Sequence, residues 1–270
     1  MTDADSRSYR MLQTLSVASD VIEVLTARDG ATITELADQL DLSKSSAYRY
    51  LKTLEELGYV TCTDGCYELS YQFLLLGEYT RNTSELYQVG KSKVDDLAAE
   101  LGHYAHLVTE ADSYGVNLHQ ATGEEATDYD YQAAKLQQRD PLHVTAAGKA
   151  ILAHMSSERI EAIVESSTFE QRTKNTITDR ERLYDELEAV RQQGFAHNDE
   201  EEIKGFRAIG APIRDHEDRV LGSVSVSAPT SYLSGDAFTD DVPDLVLETA
   251  NVIEVDFNMT QKQNSITGVS

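Results

Sequence analysis

Long apolar runs, cysteines and basic residues are all scarce in this chain of 270 residues. No stretch approaches the roughly 18 consecutive apolar residues that a membrane helix needs, and the N-terminal MTDADSRSYR has no apolar signal core. We therefore expect a cytoplasmic protein without membrane contact. Hydrophobic residues make up 40% of the chain, which is enough to build ordinary cores and argues against global disorder. The length favours two unequal domains.

The two cysteines, Cys62 and Cys66, flank the hairpin-turn signal Thr63-Asp64-Gly65. So few cysteines fit a reducing compartment. If Asp64-Gly65 is a two-residue turn, Thr63 pairs with Cys66 and the two thiols face opposite sides of the hairpin. A three-residue turn would instead bring the thiols opposite each other. A structural role is the favoured interpretation, and a redox switch is the alternative.

Basic residues are outnumbered by acidic ones, 23 to 47, and the formal charge is -24. Most proteins that bind nucleic acid have more basic than acidic residues, so the plain interpretation is that this chain does not bind DNA. A uniformly acidic chain with few lysines is, however, typical of halophile cytoplasm. At about 1 M salt the screening length is roughly 3 Å. Only local charge then matters, and the acidic total does not exclude DNA binding.

Residues 1–72 predict three short helices followed by a hairpin. Apolar residues recur at helical spacing from Val17 to Leu25, and Gly30 stands where a helix stop belongs. Thr34 is the predicted N-cap of the second helix, and Ser43 that of the third. The stretch YVTCTDGCYELS alternates about an Asp-Gly turn. This order is typical of a winged helix-turn-helix domain.

A basic island without any acid lies on the third helix, in the stretch SKSSAYRYLKT. The apolar residues of this helix are predicted to turn inward, which leaves its hydroxyls and amines outside. Such groups near a helix N-terminus suit phosphate oxygens and base edges in a major groove. A solvated helix face is the alternative. The residues expected to contact double-stranded DNA are Ser43, Lys44, Ser45, Ser46, Tyr48, Arg49 and Lys52.

Two further helical patterns fill residues 73–102 and predict linker helices. Leu74, Leu75 and Leu76 form a run too apolar for an exposed linker, so we expect it to pack between subunits or domains. Strands and helices are mixed over residues 103–260, which predicts an α+β domain with a central antiparallel sheet and helices on its faces. Residues 261–270 are a predicted tail.

No catalytic constellation is found in the sequence. The stretch AAGKAIL lacks the earlier glycine of a phosphate loop, and Ala150 replaces the Ser or Thr that would hold magnesium. His103 and His106 lie three apart on a predicted strand and so face opposite sides of it. We therefore expect no metal site, no cofactor and no enzymatic activity.

Two features predict a ligand cavity. Ala146, Ala147 and Gly148 open a helix with almost no side chains, so a carboxylate or phosphate could approach its free N–H groups. Close packing of a helix on a sheet would require the same small residues. A later strand carries hydroxyls on one side only, which suits a polar pocket and equally suits a solvent-exposed face: Ser223, Ser225 and Ser227.

The chain resembles the IclR family of transcriptional regulators over nearly its whole length. The matching blocks are TITELADQLDLSKSSAYRYLKTLEELGYV, PLHVTAAGKAILA, RQQGFAHNDEEEIKGFRAIGAPIRD and RVLGSVSVSAP. The resemblance implies a winged helix-turn-helix domain, a linker helix and a GAF-like effector domain. It implies a homodimer or homotetramer on a near-palindromic DNA operator. It also implies a small organic acid or sugar-derived acid as effector, and control of a catabolic operon.

Carried over by position, the resemblance implies an effector pocket lined by Tyr129, Gln132, Ala146, Ala147, Asn198, Phe206, Ala208, Ser225 and Ser227. Asn198 stands where some members have an aspartate, and Ala208 where a cysteine is often found. An asparagine carries no charge, so it would repel an anionic effector less than an aspartate does. The alternative function is an effector-binding sensor that acts through protein partners instead of DNA.

Overall fold

The structure is a computed structural model, and it describes residues 11–126 and 139–267. The chain divides into two compact units, Met1–Thr80 and Arg81–Ser270. This division falls within residues 73–102, the predicted linker helices. The predicted effector contacts Tyr129 and Gln132 lie outside the described residues.

The first unit contains three helices, a three-stranded antiparallel sheet in the order β1-β3-β2, and the start of a fourth helix. The short strand β1 was not predicted. The winged helix-turn-helix order is confirmed. The elements are α1 (Gln13–Arg28), β1 (Ala31–Thr32), α2 (Ile33–Gln39), α3 (Lys44–Glu56), β2 (Val60–Thr63), β3 (Cys66–Leu69) and α4 (Gln72–Asn82), which crosses the boundary between the units.

Side-chain caps fix where the helices of the first unit begin. Ser43 caps α3 as predicted, because its Oγ accepts a hydrogen bond from the Ser46 N–H at 3.1 Å. The predicted cap of α2 is wrong: Thr32, and not Thr34, is the N-cap. Thr32 Oγ1 accepts from the Glu35 N–H, and the Glu35 carboxylate accepts from the Thr32 N–H at 2.8 Å. This capping box satisfies two backbone donors that Thr34 could not reach together.

The second unit is an α+β domain built on a six-stranded antiparallel sheet in the order β6-β5-β4-β9-β8-β7. A π-helical turn over Ala237–Asp241 precedes its last helix. The elements are α5 (Glu85–Leu101), β4 (Tyr104–Ala111), β5 (Tyr114–Thr122), β6 (Asp140–Pro141), α6 (Ala146–Ala153), α7 (Ser157–Ser166), α8 (Arg180–Gln193), β7 (Ala196–Asp199), β8 (Phe206–Arg214), β9 (Val220–Pro229) and α9 (Val242–Thr267). Because α9 continues to Thr267, residues 261–267 are helical although a tail was predicted there.

The two faces of the sheet serve different purposes. Alternate residues of β8 and β9, such as Ile209 and Val224, join one hydrophobic core with residues of α5 and α9. The opposite face carries the serines of β9 and lies under α6, which contacts both β8 and β9. A second hydrophobic core joins α6 to α7 and α8. Helices therefore cover both faces, and the site lies between α6 and the sheet.

Candidate DNA-binding helix and effector cavity

The outer face of α3 presents the basic island. Lys44, Ser45 and Arg49 are exposed, and Tyr48 is 47% exposed. The inner residues of α3 are buried in the core of the first unit: Ala47, Leu51 and Leu54. Lys44 and Arg49 form no ion pair with any described residue. Two of the three predicted cations, Lys44 and Arg49, thus stand free on the surface of the helix.

Four of the predicted DNA contacts already have side-chain partners in α3 or at its cap: Ser43, Ser45, Ser46 and Lys52. Lys52 Nζ lies 2.6 Å from Glu55 Oε2, and this hydrogen bond raises the pKa of Lys52. Ser43 Oγ serves the cap and lies 2.9 Å from Ser46 Oγ. The exposed positive charge of the helix therefore rests on Lys44 and Arg49.

The register of the hairpin formed by β2 and β3 determines on which faces the two cysteines lie. Thr63 pairs with Cys66, and Cys62 pairs with Tyr67. The turn therefore has two residues, Asp64 and Gly65, both with positive φ. Because the thiols project from opposite faces of the hairpin, Cys62 and Cys66 cannot form a disulfide with each other in this fold.

The apolar run in α4 is exposed. Leu74, Leu75 and Leu76 are 59%, 64% and 42% exposed; Tyr79 on the same helix is 71% exposed, and Tyr71, directly before the helix, is 87% exposed. No residue of α4 is buried. Exposed apolar stripes of this kind usually mark an interaction surface.

A cavity lies between α6 and the serine face of the sheet. It is narrow: the volume open to the centre of a water molecule is about 20 Å³. Five of the predicted effector contacts line it: Ala146, Ala147, Ala208, Ser225 and Ser227. The sequence analysis missed its other lining residues: His106, Val108, Gly115, Asn117, Asp140, Thr145 and Glu202.

The serines of β9 are buried, which rules out the solvent-exposed alternative. Ser223, Ser225 and Ser227 are 0%, 4% and 6% exposed. Ser223 Oγ donates to a backbone carbonyl at 3.2 Å. The hydroxyls of Ser225 and Ser227 form no hydrogen bond with any described residue. Within the described part of the chain, these two buried hydroxyls are therefore open to a bound molecule.

Close packing on the sheet accounts for the small residues that open α6, and binding of a ligand by its N–H groups stays a prediction. A Cβ added to Gly210 on β8 would lie 2.7 Å from the Ala147 nitrogen, so the start of the helix is pressed directly on the sheet. Thr145 caps the helix, since its Oγ1 accepts from the Gly148 N–H at 2.9 Å. The first N–H groups of a helix have no partner within the helix. Those of Ala146 and Ala147 therefore remain as donors where the two residues line the cavity.

Two predicted effector contacts do not line the cavity. Asn198 is 2% exposed; its Nδ2 donates to the Val144 carbonyl at 2.8 Å and its Oδ1 accepts from the Glu201 N–H at 2.9 Å. Its amide thus tethers the loop that follows β7. Phe206, the first residue of β8, is half-buried. A role for either residue in binding the effector remains a prediction.

The predicted separation of His103 and His106 is seen in their surroundings. His103 precedes β4 and packs against Tyr232, with 4.0 Å between the ring centroids. His106 lines the cavity. Within residues 11–126 and 139–267, no cluster of three or more candidate ligands could hold a metal ion, and no helix is long and apolar enough to cross a membrane.

A fully buried lysine supports the wall of the cavity. Lys149 on α6 is 0% exposed, and its Nζ lies 2.7 Å from Glu201 Oε1 and 2.8 Å from Glu186 Oε1. Burial raises the pKa of Glu201, and the charge of Lys149 opposes that rise. The triad joins α6 to α8 and to the loop that carries Glu202 into the cavity.

His143 gives the second unit a pH-dependent stability. Burial, with the charges of Arg172 and Lys149, lowers the pKa of His143 to about 4. The unfolded chain takes up a proton near pH 6.5, whereas the folded chain does so only near pH 4. The free energy of unfolding should therefore fall as the pH drops through this window, by up to about 3 kcal/mol.

We expect His143→Gln to flatten this dependence by nearly one proton. Urea unfolding at pH 7, 5.5 and 4.5 at constant KCl measures it. The exposed His216→Gln serves as the matched control. A slope that is the same in the His143 variant and the natural chain would contradict the assignment.

Comparison with protein families decides which proteins share this arrangement. The model described as "IclR helix-turn-helix domain" matches residues 14–63, and "Bacterial transcriptional regulator IclR C-terminal" matches residues 79–255. The second match alone spans more than half of the chain. This protein belongs to the IclR family. It is accordingly a DNA-binding transcription regulator, as the sequence blocks indicated.

Individual IclR-family relatives agree with this assignment. The protein named Probable HTH-type transcriptional regulator ArcR, from Halobacterium salinarum, is 38% identical over 253 residues, which cover 93% of this chain and 96% of the relative. The crystal structure of the Thermotoga maritima IclR is 26% identical with a TM-score of 0.71, covering 91% of this chain and 98% of that one. The acidic composition of this chain fits a relative from a halophile. The relatives named here are transcription regulators, not enzymes.

One solved IclR homologue contains a small acid. The protein from Microbacterium hydrocarbonoxydans, complexed with 4-hydroxybenzoate, has a TM-score of 0.75 to this chain. It is 21% identical, and the alignment covers 90% of this chain and 98% of that one. At this identity the likeness supports the fold alone.

Proposed function

We propose that the protein reads a near-palindromic operator with α3 and senses a small metabolite in the cavity under α6. The exposed face of α3 carries this proposal, because Lys44 and Arg49 stand free there and no acid lies between Ser43 and Thr53. A major groove admits such a helix. In concentrated salt, acids more than a few ångströms away hardly oppose the contact. The expected site of action is the cytoplasm.

A second copy of the chain is the proposed partner of α4. Tyr71, Leu75 and Tyr79 are spaced four residues apart and share one face of the helix or its entry, and all three are more than 60% exposed. A homodimer, or a homotetramer built from two dimers, would provide paired α3 helices. Half-sites about 34 Å apart would match such a pair.

The proposed effector is a small organic acid or sugar-derived acid, and the proposed target is a catabolic operon. The donors at the start of α6 and the helix dipole favour a carboxylate. The hydroxyls of Ser225 and Ser227 complete a polar floor. The solved homologue with 4-hydroxybenzoate shares only the fold, so the proposal of a carboxylic acid depends on the groups that line the cavity.

Strand β4 provides a route for coupling the cavity to the linker helices. His106 lines the cavity, and the next residue, Leu107, projects to the other face of the sheet. There Leu107 packs so closely on α5 that a Cβ added to Gly90 would lie 2.8 Å from its Cδ2. A ligand that shifts β4 would therefore displace α5, and through it the spacing of the α3 helices.

The salt dependence of operator binding tests the DNA proposal. Two α3 helices with two free cations each predict a slope of log affinity against log KCl of about -4, since each neutralised phosphate contributes about -0.9. A repressor with many phosphate contacts has a slope near -10. The measurement is a mobility shift between 0.5 and 2 M KCl on DNA upstream of the protein's own coding sequence, with light scattering to count the chains per operator.

The outcomes separate the two candidate functions. A slope shallower than about -5 with two or four chains bound supports the operator proposal. A steep loss of binding above a few hundred millimolar KCl contradicts the charge argument. If no DNA in a library of upstream regions is shifted, the alternative is favoured, namely a sensor that acts through protein partners.

A further inference from the structure

The wing, which comprises β2, β3 and the turn between them, carries acidic residues and no basic one. Its residues 60–69 read VTCTDGCYEL, and their charged side chains are Asp64 and Glu68, both exposed. The neighbouring helix α3 shows the opposite charge, because Lys44 and Arg49 are exposed there and form no ion pair with a described residue. The first unit thus presents cations on its reading helix and an anion at the tip of its wing.

The carboxylate of Asp64 has no structural role in the described part of the chain. It forms no hydrogen bond or ion pair with a described residue. Asp64 and Gly65 have positive φ values of 53° and 84°, as a two-residue hairpin turn of this type requires. Asparagine suits the first position of such a turn as well as aspartate does. The turn therefore does not need the negative charge.

The wing lies beside α3. Strand β2 contacts α3, and Tyr67 on β3 lies near Lys52 of α3. Asp64 is three residues from Tyr67, which corresponds to at most about 10 Å along a strand. A major groove is only about 12 Å wide, so a helix seated in it has a phosphate backbone on each side. One of these backbones would lie on the side of the wing.

We infer that Asp64 faces the DNA backbone and, by opposing Lys44 and Arg49 there, reduces the salt dependence of DNA binding. The inference rests on the proposed function, in which α3 reads DNA. Added salt weakens the attraction between the cations of α3 and the phosphates. It also weakens the repulsion between Asp64 and the same backbone, because both are screened. The two changes have opposite effects on the affinity and partly cancel, so the operator stays bound over a wider range of salt.

The variant Asp64→Asn tests the inference on the full chain, because it removes the charge and keeps the turn. Each charge that meets a phosphate changes the slope of log affinity against log KCl by about 0.9, and a repelling charge counts with the opposite sign. With one wing on each of two chains, the slope of the variant should be steeper than that of the natural chain by up to about 2. Over a tenfold fall in KCl, the affinity of the variant should therefore rise by up to about 100-fold more.

Fluorescence anisotropy on a random-sequence duplex measures these slopes, since the phosphate contribution does not depend on sequence. Circular dichroism sets the lowest KCl concentration, so that only folded chains are compared. Asp29→Asn is the matched control, because Asp29 is exposed, has a φ of 54° and also precedes a glycine with positive φ. Thr32 pairs with Cys66 beside the turn, so Asp29 lies toward the other end of the hairpin. Its replacement should leave the slope unchanged.

A steeper slope for Asp64→Asn alone supports the inference. Equal slopes for Asp64→Asn and the natural chain would overturn it. An equally steep slope for Asp29→Asn would also overturn it, because any lost acid would then act alike. A mobility shift of the natural chain on upstream DNA separates these failures from failure of the proposed function. If the natural chain binds that DNA and the slopes are equal, only the inference fails; if it binds no DNA, the proposed function fails too.

Discussion

Replacing Arg49 with alanine is expected to remove most operator binding while the fold stays intact. Arg49 is exposed on α3 and forms no ion pair with a described residue, so nothing in the first unit depends on its charge. A side chain that reads a base edge contributes about 1–3 kcal/mol per contact. If two α3 helices bind together, the operator affinity should fall by about 2–6 kcal/mol, or about 30-fold to 10⁴-fold.

Arg28→Ala is the matched control for Arg49→Ala. Arg28 ends α1 in the same unit, is 44% exposed in its side chain and lies 3.8 Å from Glu35. Both changes remove one positive charge, but only Arg49 belongs to the basic face of α3. Fluorescence anisotropy at fixed KCl gives the affinities, and thermal unfolding verifies the fold. Similar affinities for the two variants would show that α3 does not read the operator.

Replacing Lys149 with methionine is expected to destabilise the second unit by about 3–5 kcal/mol, because it leaves two carboxylates without their buried partner. For a domain of this size the melting temperature should fall by roughly 10 °C. Glu186 and Glu201 then repel each other, and the Glu201 carboxylate can avoid charge only by binding a proton. A raised pKa in the folded state means that the folded chain holds more protons than the unfolded one, so stability should return as the pH is lowered.

Two further variants test whether the loss of stability comes from the buried triad of Lys149, Glu186 and Glu201 or from the loss of any positive charge. Lys93→Met breaks an ion pair with Asp256 at 3.4 Å that is partly exposed on both sides, and it should cost less than about 1 kcal/mol. Adding Glu201→Gln to Lys149→Met should recover part of the lost stability, since one uncompensated charge is removed. Equal losses for Lys93→Met and Lys149→Met in chemical unfolding would contradict the assigned role of Lys149.

The winged helix-turn-helix could be predicted because its signals are local. The cap Ser43 bonds three residues ahead, helical spacing places Leu51 and Leu54 inward, and Asp64-Gly65 closes a two-residue turn. The start of α2 was nevertheless predicted wrongly. Two threonines compete for the N-cap position there, and Thr32 is the cap because it forms a capping box with Glu35, whereas Thr34 was predicted.

By itself, the sequence determined the order of the elements, the basic face of α3 and the small residues that open α6. Only the tertiary structure decided what faces the cavity. Asp140, Arg172 and Glu202 lie about 30 residues apart from one another along the chain and meet only when the sheet is assembled. The tertiary structure also decided that the serines of β9 are buried and that the Asn198 side chain bonds to backbone groups. It likewise decided that Lys149 is buried between two carboxylates. Helical spacing and turn chemistry act over a few residues, whereas a cavity is made by strand pairing across long loops, which no short pattern encodes.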